Sequence, residues 1–585
     1  MTDINRVILR DAAKDQWLEF SDPLEIIEIH RTDDVINGLC RVEDAVLHRG
    51  LHAAGMISYE AAPAFDPSLA VLADGCFPLL WFGIYEQPSI IDIPKYDGLE
   101  MPDVLQWASS VSSEEYRHAF ERIKDYIGRG DTYQVNYTFR LQSDFPVDPW
   151  QYFVRLISAQ GSGYGAYINT GRWTVCSASP EVFFTLEGSR MESRPMKGTA
   201  ARGLTLEQDH EQARSLKVSE KNRAENLMIV DMVRNDMGRI AEGGSVHVSS
   251  LFDIEKYPTL WQMTSTVRAE TDVSLTGIFR AMFPPASITG APKNRTMQII
   301  AELETTPRRI YTGSIGFISP GRRAQFNVAI RTLLVNAESG RAEYGVGGGI
   351  VWDSDCAMEQ LECRTKSRIL NAGLRPFSLL ETMLWTPAQG YYLLDRHMRR
   401  LGRSAEYFDY RLDIDSVRKT LDCIAQDLPQ ADQRIRLLIA NDGGISCEVY
   451  PIVPDDSASV KNVALACSPV DRSSPFLYHK TTNRRIYEDA LAACPGYDDV
   501  ILCNESGEVT ESTIANIVVE LDGVLYTPPV RCGLLPGTYR EWMLEEKMVM
   551  ERVITVRELM ESSGVYLVNS VRGMYKVKIS SADAI

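Results

Sequence analysis

The chain has no C-x-x-C pair, and its eleven cysteines are an odd, scattered set. A disulfide framework calls for an even count with paired spacing, so a reducing compartment is expected. The eight histidines supply no H-E-x-x-H, and no Cys/His cluster has zinc spacing. Positive charge is in deficit: 61 Lys and Arg face 79 Asp and Glu, a net −18. That balance excludes a general attraction to nucleic acid or to an anionic membrane. An anionic substrate would have to be gripped by a few local cations working against the overall field. No uninterrupted apolar run approaches the ~20 residues of a membrane span. The opening MTDINRVILRDAAKDQ breaks its apolar residues with charges, unlike a signal peptide. The expected location is cytoplasmic, with no nucleic-acid or membrane partner.

What is present is a chain of 585 residues, 44% hydrophobic, rich enough for large cores. The clearest seam is Asn371–Pro376 (NAGLRP), where glycine and proline follow a charged stretch and precede a new apolar run. Ser112 and Glu115 form a capping-box pattern followed by apolar Tyr116, Phe120, Ile123 and Ile127; Gly128 and Gly130 end that helix. Thr132–Leu141 reads as a strand, and Ser219 as the cap of a second long helix through Glu225, Ile229 and Val233. Farther on, Ala515–Val519 and Val565–Val568 read as buried strands and Arg540–Met550 as a helix. Gly161–Ala166 (GSGYGA) fits G-x-G-x-x-A. A dinucleotide loop must open a helix, however, and the following AYINTG reads as strand and turn, so the match is rejected.

Four segments before the seam stand out: Ser179–Phe183 (SPEVF), Arg194–Thr199 (RPMKGT), Arg223–Asp236 (RAENLMIVDMVRND) and Gly347–Lys366 (GGGIVWDSDCAMEQLECRTK). Each alone has a bland explanation: a surface cap, a solvated lysine, a wet helix face. Together with Phe283–Met297 and Tyr311–Phe317, and in the same order, they resemble the chorismate-utilising enzymes over about Ser112 to Leu370. The resemblance implies chorismate as substrate and Mg²⁺ held by Glu225 and Glu362, with Glu359 one turn away on the same helix face. It implies Glu181 as the general acid/base, and Tyr311, Arg331, Lys366 and the backbone of the Gly347-Gly348-Gly349 loop as substrate-binding groups. Lys197 decides the branch. Anthranilate synthases usually have a small residue there, whereas aminodeoxychorismate synthases carry a lysine whose amine attacks the ring. Where many relatives have a histidine before Ser265-Thr266, this chain has Gln262, which leaves the role of that position open. No G-x-C-x-G elbow with downstream His and Glu is found, so ammonia is expected from a separate glutamine amidotransferase subunit.

After the seam, His397–Leu401 (HMRRL), Lys480–Arg484 (KTTNR), Thr510–Asn516, Gly537–Arg540 and Asn569-Ser570 resemble fold-type IV pyridoxal-phosphate enzymes. By that resemblance Lys480 is the Schiff-base lysine, and Glu511 faces the pyridine nitrogen of pyridoxal 5'-phosphate. Arg400, Thr538, Tyr539 and Ser570 would cradle the phosphate. Cofactor alone does not choose between transamination and elimination. The pairing with the first domain favours an aminodeoxychorismate lyase.

The expectation is an α+β protein. Its first domain, 1–372, would have two large antiparallel sheets with surrounding helices, and its second, 373–585, two α/β subdomains, with homodimerisation through the latter. The two would make p-aminobenzoate from chorismate in sequence. The alternatives are an anthranilate synthase-like domain fused to a branched-chain or D-amino-acid aminotransferase, and a catalytically dead scaffold. The scaffold would predict loss of Lys197, Glu181, Glu225, Glu362 or Lys480, all of which are present.

Overall fold

Ser112 and Glu115 exchange hydrogen bonds at the start of a helix, Ser113–Gly128, as their spacing predicts. Ser112 Oγ accepts from the Glu115 amide at 3.2 Å, and the Ser112 amide donates to the Glu115 carboxylate at 2.6 Å. Its apolar stripe of Tyr116, Phe120 and Ile123 packs on Val135 and Tyr137 of the strand Gln134–Asp144. Ser219 likewise caps Glu220–Gly238 through the Asn222 amide. Gly161, at φ 61°, stops the helix Pro149–Gln160, and Tyr164–Asn169 is a strand, so GSGYGA is a helix stop.

The structure is a computed structural model describing residues 4–94, 105–161, 163–370, 376–452 and 460–580; the expected seam at 372/373 falls outside them. The chain divides into two compact units, Met1–Arg202 with Gln212–Leu374, and Gly203–Glu211 with Arg375–Ile585.

The first unit is built on two ten-stranded, wholly antiparallel sheets. One runs from Gly290–Ala291 through Gln134–Asp144, Arg341–Ile350, Thr332–Asn336 and Trp173–Ser179 to Ser89–Ile91. The other runs from Met196–Ala201 through Leu260–Glu270 and Val182–Glu187 to Glu25–Ile29. The helix Leu275–Met282 lies against the second sheet through an aromatic cluster. Phe279 meets Phe184 and Phe326 edge to face at centroid distances of 5.4 and 5.0 Å. Burying each phenylalanine is worth about 1.5–3 kcal/mol.

In the second unit a four-stranded antiparallel sheet (Gly390–Tyr391, Leu379–Thr386, Gln433–Ile439, Ile445–Pro451) carries the helices Leu394–Phe408 and Ile414–Gln426. A mixed eight-stranded sheet follows. Pairing of Val509–Ser512 with Asn516–Leu521 closes six of its strands into a ring. The helix expected over Arg540–Met550 is shorter, Thr538–Glu545. Lys547 turns left-handed at φ 57°, and the amides of Lys547 and Met548 bond back to the carbonyls of Leu544 and Met543. That Schellman closure ends the helix and frees Met550 to pair as a strand. Among the described residues no helix is long and apolar enough to cross a membrane.

One buried ion pair fixes segments that matter below. Arg308, 1% exposed, forks onto Glu304 at 2.6 and 3.0 Å and donates to the carbonyls of Asn136 (2.7 Å) and Ile288 (2.9 Å). Removing the carboxylate leaves a guanidinium in the interior with its charge unmatched. Glu304→Ala is therefore expected to cost about 3–5 kcal/mol, read as a lowered urea midpoint.

Candidate active sites

Lys197 lies in a bulge. Met196 pairs with Thr264 and Thr199 with Gln262, so three steps on one strand oppose two on its neighbour, and Gly198 takes φ +97° to absorb the extra residue. The bulge turns the Lys197 side chain into a cavity of about 150 Å³. Its amine occupies the space above Gly349, where a Cβ would lie 2.1 Å from Nζ. Gln262 holds the bulge in place: its Nε2 donates to the Gly198 carbonyl at 2.8 Å, and its Oε1 accepts from Thr199 Oγ1 at 3.2 Å.

Glu181, Glu225, Glu359, Glu362, Tyr311, Arg331, Gly347 and Lys366 line the same cavity. Gly348 is adjacent, with its Cα facing Glu359; a Cβ there would stand 2.9 Å from the carboxylate. The three glycines do not form a loop as expected. They sit in the strand Arg341–Ile350, paired with Thr138, Tyr137 and Asn136, where a side chain at Gly347 would strike the neighbouring strand, at Gly348 the Glu359 carboxylate and at Gly349 the lysine. Glu359, Glu362 and Lys366 share one face of the helix Cys356–Ser367.

The electrostatics are uneven. Glu181 is 3% exposed, and burial pushes its carboxyl up to about 7, although Ser287 Oγ donates to it at 2.7 Å. Burial, then the neighbouring Glu362, also raise Glu359, which accepts from Ser354 at 2.7 Å. Glu362 is held low by Lys366 Nζ, 2.7 Å away, and that ammonium also donates to the Gly347 carbonyl at 2.9 Å. Glu225 lies 3.9 Å from both Lys197 and Lys221. Arg331 is buried, and its Nη1 has no hydrogen-bond partner. Such a guanidinium is costly unless an anion completes it.

Among the described residues no three acidic, histidine or cysteine side chains form a ready metal cage. Mg²⁺ does not need one, since one or two carboxylates plus waters and substrate oxygens suffice. Glu225 and Glu362, all-oxygen donors from two helices that line one cavity, fit that requirement.

The second unit has a cavity of about 390 Å³ that brings together Lys480, Arg400, Glu511, Thr538, Tyr539 and Ser570. Burial, then Arg400 and Arg484, lower Lys480 to about 7. Glu511, 4% exposed and raised to about 7 by burial, accepts from Tyr487 Oη (2.7 Å), the Leu535 amide (3.1 Å) and Asn516 Nδ2 (3.1 Å). Those bonds fix a carboxylate as a partner for a ring N–H. Arg400 grips Glu381 with two hydrogen bonds of 2.9 and 2.6 Å. Burial opposes it, but Arg400 and His397 hold Glu381 down at about 2. His397 links Glu381 (2.7 Å) to Thr538 Oγ1 (3.3 Å) at the start of the helix Thr538–Glu545. An arginine, a helix N-terminus and buried hydroxyls make a fitting phosphate cradle for pyridoxal phosphate.

Residues 99–372 match the family model for chorismate binding enzymes, and residues 378–579 that for amino-transferase class IV. Aminodeoxychorismate synthase component 1 of Escherichia coli K12 is 35% identical over 376 residues, 58% of this chain and 82% of that protein. The chain belongs to the aminodeoxychorismate synthase component 1 family. The Klebsiella aerogenes protein of the same name is 43% identical over 268 residues, 45% of this chain and 59% of that protein's length. Anthranilate synthase component I from Streptococcus pneumoniae shares the fold of the first unit. Its TM-score is 0.52 at 22% identity, covering 62% of this chain and 92% of that one.

For this member of the aminodeoxychorismate synthase component 1 family, the structure adds residues that sequence reading missed. Ser287 and Lys221 complete the first cavity, where Gln262, whose role the sequence left open, braces the bulge; Tyr487 lines the second, and Glu381 with His397 supports its Arg400. His397 stood in the HMRRL motif with no role assigned to it, and nothing local marks Glu381, which is 16 residues away. Gln134, in the strand beside Gly349, has both amide atoms buried without a partner. Gly349→Ala would push the Lys197 amine off its position by more than 1 Å. The amination rate is expected to fall about 10²-fold in this family member, with folding measured by circular dichroism intact.

Proposed function

We propose that the chain makes p-aminobenzoate in two steps: amination of chorismate to 4-amino-4-deoxychorismate in the first unit, and elimination of pyruvate in the second. The observation that carries the first step is Lys197 in a bulge that aims its amine into a cavity shared with buried Glu181 and with Arg331, whose Nη1 has no hydrogen-bond partner. Arg331 and Lys366 would neutralise the substrate's carboxylates. Glu181, protonated at its raised pKa, would give its proton to the departing ring hydroxyl, which leaves as water. Lys197 would add to the ring as that bond breaks, and ammonia would then take its place, returning the lysine amine. Glu225 and Glu362, with Glu359 beside them, would hold Mg²⁺, which when bound supplies positive charge against a substrate carboxylate. The name component 1 of the relatives supports a separate amidotransferase partner as the ammonia source.

In the second unit Lys480 would bind the cofactor and, once released, remove the ring proton at the amine-bearing carbon. Pyridoxal phosphate when bound supplies an electron sink. Glu511 would keep its pyridine nitrogen protonated, and Arg400, Thr538 and Ser570 would anchor its phosphate. Arg434, Arg436 and Arg572 also line this cavity, a basic surround that suits a dicarboxylate better than a simple amino acid.

Purified chain given chorismate, ammonium, Mg²⁺ and pyridoxal phosphate is expected to release p-aminobenzoate and pyruvate. Lys197→Ala should slow aminodeoxychorismate formation at least tenfold. Anthranilate as the product would overturn the first assignment, and an amino-group exchange without pyruvate release would overturn the second.

A further inference from the structure

Thiols are the reactive groups that the proposed chemistry leaves unused, and two of the chain's free cysteines touch. Cys467 Sγ and Cys494 Sγ are 3.8 Å apart in the second unit. Cys467 is exposed and follows the barrel strand Lys461–Leu465. Cys494 is 6% exposed, follows the helix Arg485–Ala492, and also contacts the Leu465 carbonyl at 3.9 Å. The chain between them contains Lys480 and Tyr487, the latter donating to Glu511 at 2.7 Å. We infer that Cys467 and Cys494 are a redox modification site at which a peroxide closes a reversible disulfide around the Lys480 segment.

The roles follow from exposure. Hydrogen peroxide reaches the Cys467 thiolate, whose sulfur takes one oxygen to become a sulfenic acid as hydroxide departs. The Cys494 sulfur then attacks the Cys467 sulfur, and the sulfenic oxygen leaves as water with the Cys494 proton. The two thiols lose two electrons, and peroxide gains them as two waters once the hydroxide is protonated. Cys494 suits the second role by position: it is buried against Cys467 with the two sulfurs 3.8 Å apart, so peroxide meets exposed Cys467 first and Cys494 attacks from contact as it gives up its proton. The sulfurs need only close from contact to a bond length of about 2.0 Å. A bridge here would tie the end of a barrel strand to the end of the helix that carries Tyr487. It would also restrict the unfolded segment containing Lys480. Transient bridges between neighbouring thiols are a known form of redox sensing.

The test uses the full chain loaded with pyridoxal phosphate, at low concentration, with equimolar hydrogen peroxide. The expected result is a loss of about 2 Da, a Cys467–Cys494 linked peptide after digestion without reductant, and reversal by dithiothreitol. The linked chain should unfold about 5 °C higher than the reduced chain, and exposed Cys467→Ser should show neither change. Should Cys494→Ser fail to fold, Cys467→Ser alone decides. A gain of about 32 Da at Cys467 with Cys494 still a thiol would overturn the inference. So would bridges that map to other cysteines, or a linked chain that melts no higher.

Discussion

Glu181→Gln is expected to lower the amination of chorismate by about 10²–10⁴-fold while leaving the second step on supplied aminodeoxychorismate unchanged. The glutamine keeps the shape and can still meet Ser287, 2.7 Å from the native carboxylate, but has no proton of useful acidity to give. The pH profile is the sharper check. Burial raises Glu181 to about 7, so the acid form prevails below that pH and is lost above it. With free ammonia held constant across the series, the amination rate should fall as pH rises through about 7. Glu181→Gln should flatten that limb. A variant that loses rate but keeps the limb would assign the titration to another group, and one that keeps full rate would remove Glu181 from the chemistry.

Lys480→Ala should stop p-aminobenzoate release by at least 10³-fold and make aminodeoxychorismate accumulate, because in the proposed mechanism both covalent attachment of the cofactor and the proton-removing amine would be lost. Here the pH dependence has the opposite sign. Burial and two neighbouring arginines lower Lys480 to about 7, so the neutral amine, the form able to attack a carbonyl or take a proton, prevails above that pH. Capture of pyridoxal phosphate by the apo chain, followed by absorbance, should therefore speed up as pH rises through about 7. Stopped-flow mixing of apo wild type and apo Lys480→Ala separates covalent capture from simple phosphate binding in the Arg400 cradle. If the variant still released p-aminobenzoate at the wild-type rate, Lys480 would not be the working base. The two half-reactions are thus expected to prefer opposite sides of neutrality, with their best coupling near pH 7.

Local rules carried much of this protein. The caps at Ser112 and Ser219, the stop at Gly161 and the strand character of Asn516–Leu521 and Gly564–Asn569 follow from short-range sterics and hydrogen bonding. The end of the helix at Glu545 was less legible, because a lysine in the left-handed region closes it without a glycine to announce it. The candidate residues could be named because motif order survives in the chain. Their meeting could not be read from it: Glu181, Lys197, Glu225, Tyr311, Arg331 and Lys366 come from separate strands, helices and turns.

What the sequence by itself determined was the set of chemical groups, a lysine and carboxylates before the seam and a lysine and carboxylate after it, together with the periodicities that make strands and helices. Tertiary structure alone decided what state those groups are in. Burial, not neighbours in sequence, lifts Glu181 and Glu511 to about 7 and lowers Lys480 to about 7. The bulge at Gly198 and the bare Cα of Gly349 decide where the Lys197 amine sits. Desolvation and close approach depend on residues far apart in the chain, as Lys197 and Gly349 are, so they exist only once the sheets have formed.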